Sequence, residues 1–228
     1  MKTSNNTILI TGGCTGIGYE LTKYFSSRGN HVIIVGSERS KLSAAASWRT
    51  NITALLCDLD TEEGITYLVD KLRKNFPNLN VFINNAGQAY ADSQDFNSLA
   101  SEEQMLSHYF AGIRLSEELI PVLRLQDSAT IADLTAITYA SAGNIGLKSG
   151  IRKTAESYGN VLAQSLKESR NIRILQASEF RNDGSVENII TALTGSYDPL
   201  HPYHRKALEA GFFNSGFNSF DMTFMAVG

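Results

Sequence analysis

Short apolar segments alternate with longer amphipathic segments along most of this chain. The short segments are hydrophobic at nearly every position, as in HVIIVG at residues 31–36, which is typical of parallel strands covered on both faces. Between them, apolar residues recur at helical spacing. The pattern predicts strands at residues 7–11, 31–36, 53–57, 80–84, 129–134 and 172–176, with a weaker one at 221–227.

Helices are predicted between these strands, at residues 16–28, 39–49, 61–75, 101–123, 152–169 and 186–193. Such an alternation implies right-handed crossovers between parallel strands. The predicted fold is α/β: a Rossmann-like, doubly wound parallel sheet of about seven strands in a three-layer αβα arrangement. We expect a single domain over residues 1–228, in which 182–219 form a loop and helix segment on the substrate side.

The composition argues against several classes of protein. The formal net charge of −3 and the pI near 5.8 do not suit a nucleic-acid surface, which requires a basic patch. No apolar run approaches the roughly 18 residues of a membrane span. Cys14 and Cys57 are too few for a disulfide framework. We therefore predict a cytoplasmic protein with a small-molecule substrate and no metal site.

The turn after the first predicted strand is rich in glycine. Residues 11–18 read TGGCTGIG and open the first helix. Glycines in such a turn let the backbone approach a pyrophosphate closely, and the N–H groups of the helix start then face the anion. The alternative is a turn with a structural role alone. The residues predicted to line the phosphate site are Gly12, Cys14, Thr15, Gly16, Ile17 and Gly18.

Two motifs together make the chain resemble the short-chain dehydrogenase/reductase family. TGGCTGIG matches that family's TGxxxGxG pattern, and NNAG at residues 84–87 matches its second signature. The resemblance extends over residues 5–180. It implies a dinucleotide site that also includes Asp58, which stands where the family contacts adenine, together with Leu59, Asn85, Ala86 and Gly87.

The end of the second strand bears on the choice of cofactor. The carboxylate by which the family selects NAD falls on Gly36 and is therefore missing, whereas Ser37 and Arg39 suit the 2′-phosphate of NADP. We therefore favour NADP(H) over NAD(H). Two alternatives stay open: Arg39 and Lys41 form only a solvated helix start, or the site is vestigial and binds no cofactor.

The catalytic positions depart from the family pattern. The family uses an Asn, a Ser, a Tyr and a Lys, and the corresponding positions here hold Tyr109, Ala136, Ser149 and Lys153. Only the lysine is kept, and it is expected to hold the nicotinamide ribose. A serine hydroxyl is far too weak an acid to replace a phenol. A register one residue earlier would place Thr135 at the family's Ser position.

Other residues are candidates for the missing acid. Tyr109 stands in the right neighbourhood, although an aromatic side chain that fills space is the simpler interpretation. Tyr139, His201 and His204 are further candidates, whereas Tyr158 lies on the apolar face of its helix and is predicted to belong to the core.

Three functions are compatible with these positions. The first is an atypical oxidoreductase that passes hydride to an activated acceptor, such as an imine or a conjugated system, without a tyrosine acid. The second is a non-catalytic subunit that pairs with an active homologue, and the third is an isomerase or cyclase in the same cleft. The resemblance also implies an oligomer, homomeric or with such a homologue, through helices 101–123 and 152–169.

Overall fold

Six parallel strands form one sheet in the computed structural model, which describes residues 1–85, 99–135, 145–176 and 185–195. The strand order is β3-β2-β1-β4-β5-β6, so the direction of winding reverses between β1 and β4. In open α/β sheets, ligands bind outside the carboxyl ends of the strands at such a reversal. The strands are β1 (Thr7–Thr11), β2 (His31–Gly36), β3 (Ile52–Leu56), β4 (Leu79–Asn84), β5 (Ala129–Asp133) and β6 (Ile172–Leu175).

Helices connect the strands on both faces of this sheet. They are α1 (Gly16–Ser27), α2 (Arg39–Ala46), α3 (Glu62–Asn75), α4 (Leu99–Arg124), α5 (Ile145–Ser165) and α6 (Val186–Thr194).

Three predicted helices differ from the structure at their ends. Helix α2 ends at Ala46, ahead of the predicted residue 49. Helix α4 starts at Leu99, ahead of the predicted 101, and α5 spans Ile145–Ser165 instead of 152–169. The apolar stripe continues upstream through Ile145 and Leu147, and Gly150 does not interrupt the helix. Beyond Ser165 the chain changes to tighter turns, such as the bond from the Ser169 N–H to the Leu166 carbonyl.

Alternate strand residues build two separate cores. Ile8, Ile10 and Ile34 face one side of the sheet, where they are covered by α1, α2 and α6. Leu9 and Ile33 face the other side, where they are covered by α3, α4 and α5. This arrangement is the predicted three-layer αβα fold, and it explains why the strands are apolar at successive positions.

Several predictions concern the remaining residues. The seventh strand at 221–227 and most of the segment 182–219 lie outside the described residues, so these features stay predictions. The described residues all belong to one compact unit that spans Met1–Tyr197. Single-domain organisation over the full length also stays a prediction. Among the described helices, none combines the length and apolar character needed to cross a membrane.

Candidate cofactor site and catalytic positions

The glycine turn between β1 and α1 lies beside the reversal point of the sheet. Gly12 and Gly16 have φ angles of +62° and +47°, which favour glycine because other side chains clash there. At Gly18 the constraint is proximity: a Cβ atom there would lie 2.5 Å from Nδ2 of Asn85. The sequence therefore brings the start of α1 into direct contact with the end of β4.

The start of α1 has no acidic residue in its first turn, and Thr15 at the N-cap position makes no side-chain hydrogen bond to the helix. The positive end of the helix dipole therefore meets no negative charge from the helix itself, an arrangement suited to phosphate. Burial raises the pKa of the Cys14 thiol, which keeps this neighbour of the turn uncharged. Ile17 is half-buried in the same turn.

Asn85 is held firmly between the strand ends. Its backbone N–H donates to Oγ1 of Thr11 at 2.9 Å, and its Nδ2 donates to the Thr11 carbonyl at 3.2 Å. Asn85 is fully buried, yet its Oδ1 accepts no hydrogen bond within the described part of the chain. Asn85 thus contacts the glycine turn and fixes its position against the end of β4. Ala86 and Gly87, predicted beside it, lie outside the described residues.

The end of β2 presents an exposed cation. Ser37 and Arg39 are both exposed, and Arg39 forms no ion pair among the described residues. Lys41 differs, because it pairs with Glu38 at 2.8 Å. A Cβ atom at Gly36 would lie 3.5 Å from Sγ of Cys14. Ser37 and Arg39 therefore lie just beyond the carboxyl end of β2.

Asp58 and Leu59 follow β3 at the same edge. Asp58 is exposed, and its Oδ1 accepts a hydrogen bond at 3.0 Å from the N–H of Asp60. Leu59 packs against the core under α3. The backbone of this loop rests on Gly64, where a Cβ atom would overlap the Asp58 carbonyl. These contacts keep the Asp58 carboxylate at the outer end of the predicted dinucleotide site.

Tyr109 and Lys153 are the catalytic positions whose side chains the structure describes. Tyr109 is buried, and its hydroxyl forms no hydrogen bond with any described residue. Burial and the nearby Asp133 raise the pKa of Tyr109 to about 12. Lys153 is exposed on α5, without a hydrogen bond or ion pair to the described residues. Ser149 lies in α5, whereas Ala136, Tyr139, His201 and His204 fall outside the described residues.

Tyr158 packs against the core beneath α4 and α5, in agreement with its predicted position. Its hydroxyl donates to the Ile113 carbonyl at 3.3 Å. Burial, together with the charges of Glu117 and Asp133, raises the pKa of this phenol. Tyr158 is therefore unsuited to act as an acid near neutral pH.

Asp133 is a functional candidate that the sequence analysis missed. Its Oδ1 accepts hydrogen bonds from the Thr135 N–H at 2.9 Å, from the Thr135 hydroxyl, and from Nδ2 of Asn84 at 3.3 Å. Enclosure by the protein raises the pKa of this carboxyl group, and these hydrogen bonds oppose the rise. The available signal was an acidic residue at the end of an apolar strand. Thr135 is fully buried in this network, so its hydroxyl is already engaged.

Known proteins are similar to this chain in sequence. The family described as short chain dehydrogenase matches residues 6–147 of this chain. The uncharacterized oxidoreductase DltE of Bacillus subtilis is 36% identical over 141 residues, which are 60% of this chain and 55% of that protein. Carbonyl reductase [NADPH] 1 of Bos taurus is 29% identical over 133 residues, or 55% and 48% of the two chains. The chain thus spans about half the length of these relatives.

Solved structures share the fold. The 3-ketoacyl-(acyl-carrier-protein) reductase of Brucella melitensis, crystallised with NADH, superposes with a TM-score of 0.63 at 19% identity, covering 75% of this chain and 73% of that one. A short-chain dehydrogenase structure from Escherichia coli gives the same TM-score at 22% identity, with 75% and 78% covered. The family match agrees with the glycine turn and the order of the strands. The chain belongs to the short-chain dehydrogenase family.

Proposed function

We propose that this protein binds NADP(H) at the carboxyl ends of β1–β4 and passes hydride to an activated acceptor, such as an imine or a conjugated system. The glycine turn that opens α1 at the reversal point of the sheet carries the proposal. Glycines open this turn to a pyrophosphate, and the first turn of α1 contributes no carboxylate of its own that would compete with the phosphate. The bound nicotinamide would supply the hydride, and the protein would orient it.

The preference for NADP(H) rests on charge at the end of β2. Gly36 offers no carboxylate to the ribose, and Arg39 is an exposed cation. Glu38 is the nearest acidic residue, and Lys41 pairs with it. The bovine relative is named for NADPH, whereas the Brucella neighbour was crystallised with NADH. The local charges therefore support the phosphorylated cofactor more strongly than the fold does.

Fluorescence titration with NADPH and NADH tests this preference. We expect wild type to bind NADPH more tightly, and Arg39→Ala to weaken NADPH binding by about tenfold or more, since hydrogen bonds to charged groups contribute about 1.5–3 kcal/mol. NADH binding should change little. Lys41→Ala is the matched control, because Lys41 already pairs with Glu38. Equal wild-type affinity for both cofactors would contradict the preference.

An activated acceptor is proposed because neither the Tyr109 nor the Tyr158 hydroxyl is suited to act as the acid. Reduction of a plain ketone needs an acid to protonate the developing alkoxide. Tyr109 has a pKa of about 12, and the Tyr158 hydroxyl is engaged in a hydrogen bond that it donates to the Ile113 carbonyl. An iminium ion or a conjugated acceptor needs little or no acid from the protein. NADPH oxidation with a cyclic imine, an enone and a simple ketone of similar size tests this choice. Comparable turnover of the ketone would contradict it.

A non-catalytic subunit is the second candidate. Phe110 on α4 and Val161 on α5 expose 58% and 64% of their surfaces, and such apolar surfaces mark interfaces when they are contiguous. Two-fold association through α4 and α5 would cover them. Light scattering on wild type and on a Phe110→Glu, Val161→Glu variant tests this assembly. A wild-type dimer that the variant dissociates supports the interface. A wild-type monomer would exclude the homo-oligomer and favour pairing with an active homologue.

A further inference from the structure

A continuous chain of hydrogen bonds crosses the carboxyl ends of the three central strands. Asp133 on β5 accepts from Nδ2 of Asn84 on β4 at 3.3 Å, and Oδ1 of Asn84 accepts from the Thr11 hydroxyl on β1 at 3.3 Å. The same Thr11 hydroxyl accepts from the Asn85 N–H at 2.9 Å. The chain thus connects the strand end beside the predicted catalytic positions with the residue that supports the cofactor turn.

Asp133 sets the direction of these bonds together with Thr135. The Thr135 hydroxyl donates to Oδ1 of Asp133, and its oxygen accepts from Nδ2 of Asn84 at 3.1 Å. Asn84 thus faces two acceptors on this side, so its amide turns the NH₂ group toward β5. The Asn84 carbonyl oxygen then faces Thr11 and requires a donor, which the Thr11 hydroxyl supplies. The lone pairs of that hydroxyl are thereby left for the N–H of Asn85. A flipped Asn84 amide would reverse the requirement and compete with Asn85.

We propose that Asp133 is a positioning residue for the cofactor. By orienting Asn84 and, through Thr11, Asn85, it holds the surface on which the glycine turn rests. That surface is close: Cβ atoms at Gly12 and Gly18 would lie 3.2 and 2.5 Å from Nδ2 of Asn85. The inference rests on the proposed function, because it takes the glycine turn as the cofactor site.

The chain requires an acceptor at position 133, not a charge. Asp133 forms no ion pair among the described residues, and the titratable groups around it are two phenols, Tyr109 on α4 and Tyr158 on α5. Asparagine offers the same acceptor oxygen in a side chain of the same shape. Asp133→Asn should therefore preserve the chain. Asp133→Leu, similar in size but without an acceptor, removes one acceptor of Asn84 and releases the Thr135 hydroxyl to rotate, so the Asn84 amide should no longer be held in one orientation.

NADPH titration of matched variants tests the proposal. We expect Asp133→Leu to weaken binding by about tenfold, the effect of roughly one lost hydrogen bond, and Asp133→Asn to stay within about twofold of wild type. Thr130→Val is the control, since Thr130 is a buried polar residue of β5 outside the chain. A loss in Asp133→Leu no larger than in Thr130→Val would overturn the proposal. A large loss in Asp133→Asn would also overturn it, because that variant retains the acceptor.

Amide spectra of the cofactor-free protein separate this inference from the proposed function. We expect the Asn85 and Gly12 N–H resonances to shift in Asp133→Leu and to stay in place in Thr130→Val. If wild type binds neither cofactor, the proposed function fails, while these shifts still decide whether Asp133 positions Asn85. Unshifted resonances in Asp133→Leu would overturn the proposal. Should Asp133→Leu not fold, Asn84→Leu interrupts the same chain one link later.

Discussion

Gly112 of helix α4 lies directly against the side-chain amide of Asn84 at the end of β4. A Cβ atom at position 112 would stand 2.8 Å from both Cγ and Oδ1 of Asn84. The helix can approach the strand this closely only because residue 112 has no side chain. Asn84 is thereby held from the side by α4 while its two ends bond to β5 and β1.

Gly112→Ala should destabilise the protein. The added methyl group meets an amide that is already fixed by its hydrogen bonds, and overpacking of this kind costs about 1–3 kcal/mol. Gly150→Ala in helix α5 is the matched control, since no atom of the described residues beyond the neighbouring helix backbone lies within 4 Å of its Cβ position. That control should stabilise by about 1 kcal/mol through helix propensity. Urea unfolding of both variants checks the pair, and equal effects would contradict the proposed contact.

Tyr109→Phe should leave stability unchanged or raise it by about 1 kcal/mol, because the lost hydroxyl is buried without a partner among the described residues. Tyr158→Phe makes the same chemical change where the hydroxyl donates to the Ile113 carbonyl. The second variant should lose about 1 kcal/mol. Thermal unfolding distinguishes the two. A marked loss in Tyr109→Phe would show that its hydroxyl has a partner.

Asp133 should make stability depend on pH. Its pKa is raised in the folded protein above the ordinary value of 3.8, so the native state binds this proton more tightly than the unfolded state does. Stability from this group is therefore present below pH 4 and is lost as pH rises from there through the folded pKa. The Asp133→Asn variant has no carboxyl group to ionise at this position. Its free energy of unfolding should therefore rise relative to that of wild type as pH increases. Urea unfolding across that range measures the difference. A relative loss by Asp133→Asn as pH rises would mean that folding lowers the pKa of Asp133 and so contradict the prediction.

Ser149→Tyr combined with Ala136→Ser should introduce turnover of simple ketones, which wild type is expected to reduce poorly. The two changes restore the phenol acid and the orienting hydroxyl of the family beside Lys153. Because a positioned general acid contributes about 10²–10⁴ in rate, we expect a gain of about a hundredfold or more. The control adds Lys153→Ala, which should remove the gain. Efficient wild-type turnover of a plain ketone would show that the register is wrong.

Much of the fold could be predicted because burial acts on whole segments. A strand such as HVIIVG is apolar at successive positions since both of its faces meet helices, and that pattern is visible without a structure. The helix ends were less accurate. Ile145 and Gly150 belong to α5 although the stripe used for prediction begins later, because helix ends are less sharply defined by periodicity than the helix interior.

The cofactor turn could also be predicted from the sequence, but the Asp133 network could not. Gly12, Gly16 and Gly18 stand close together in the chain, and glycines at this spacing indicate a tight turn that side chains would obstruct. Asp133, Asn84 and Thr11 are far apart in the sequence and meet only because β5, β4 and β1 are neighbours in the sheet. The local sequence determined the strands, the helices and the glycine turn. The order of strands decided which polar side chains share one hydrogen-bonded chain, because hydrogen bonds require atoms within about 3 Å, a proximity that only the assembled sheet creates.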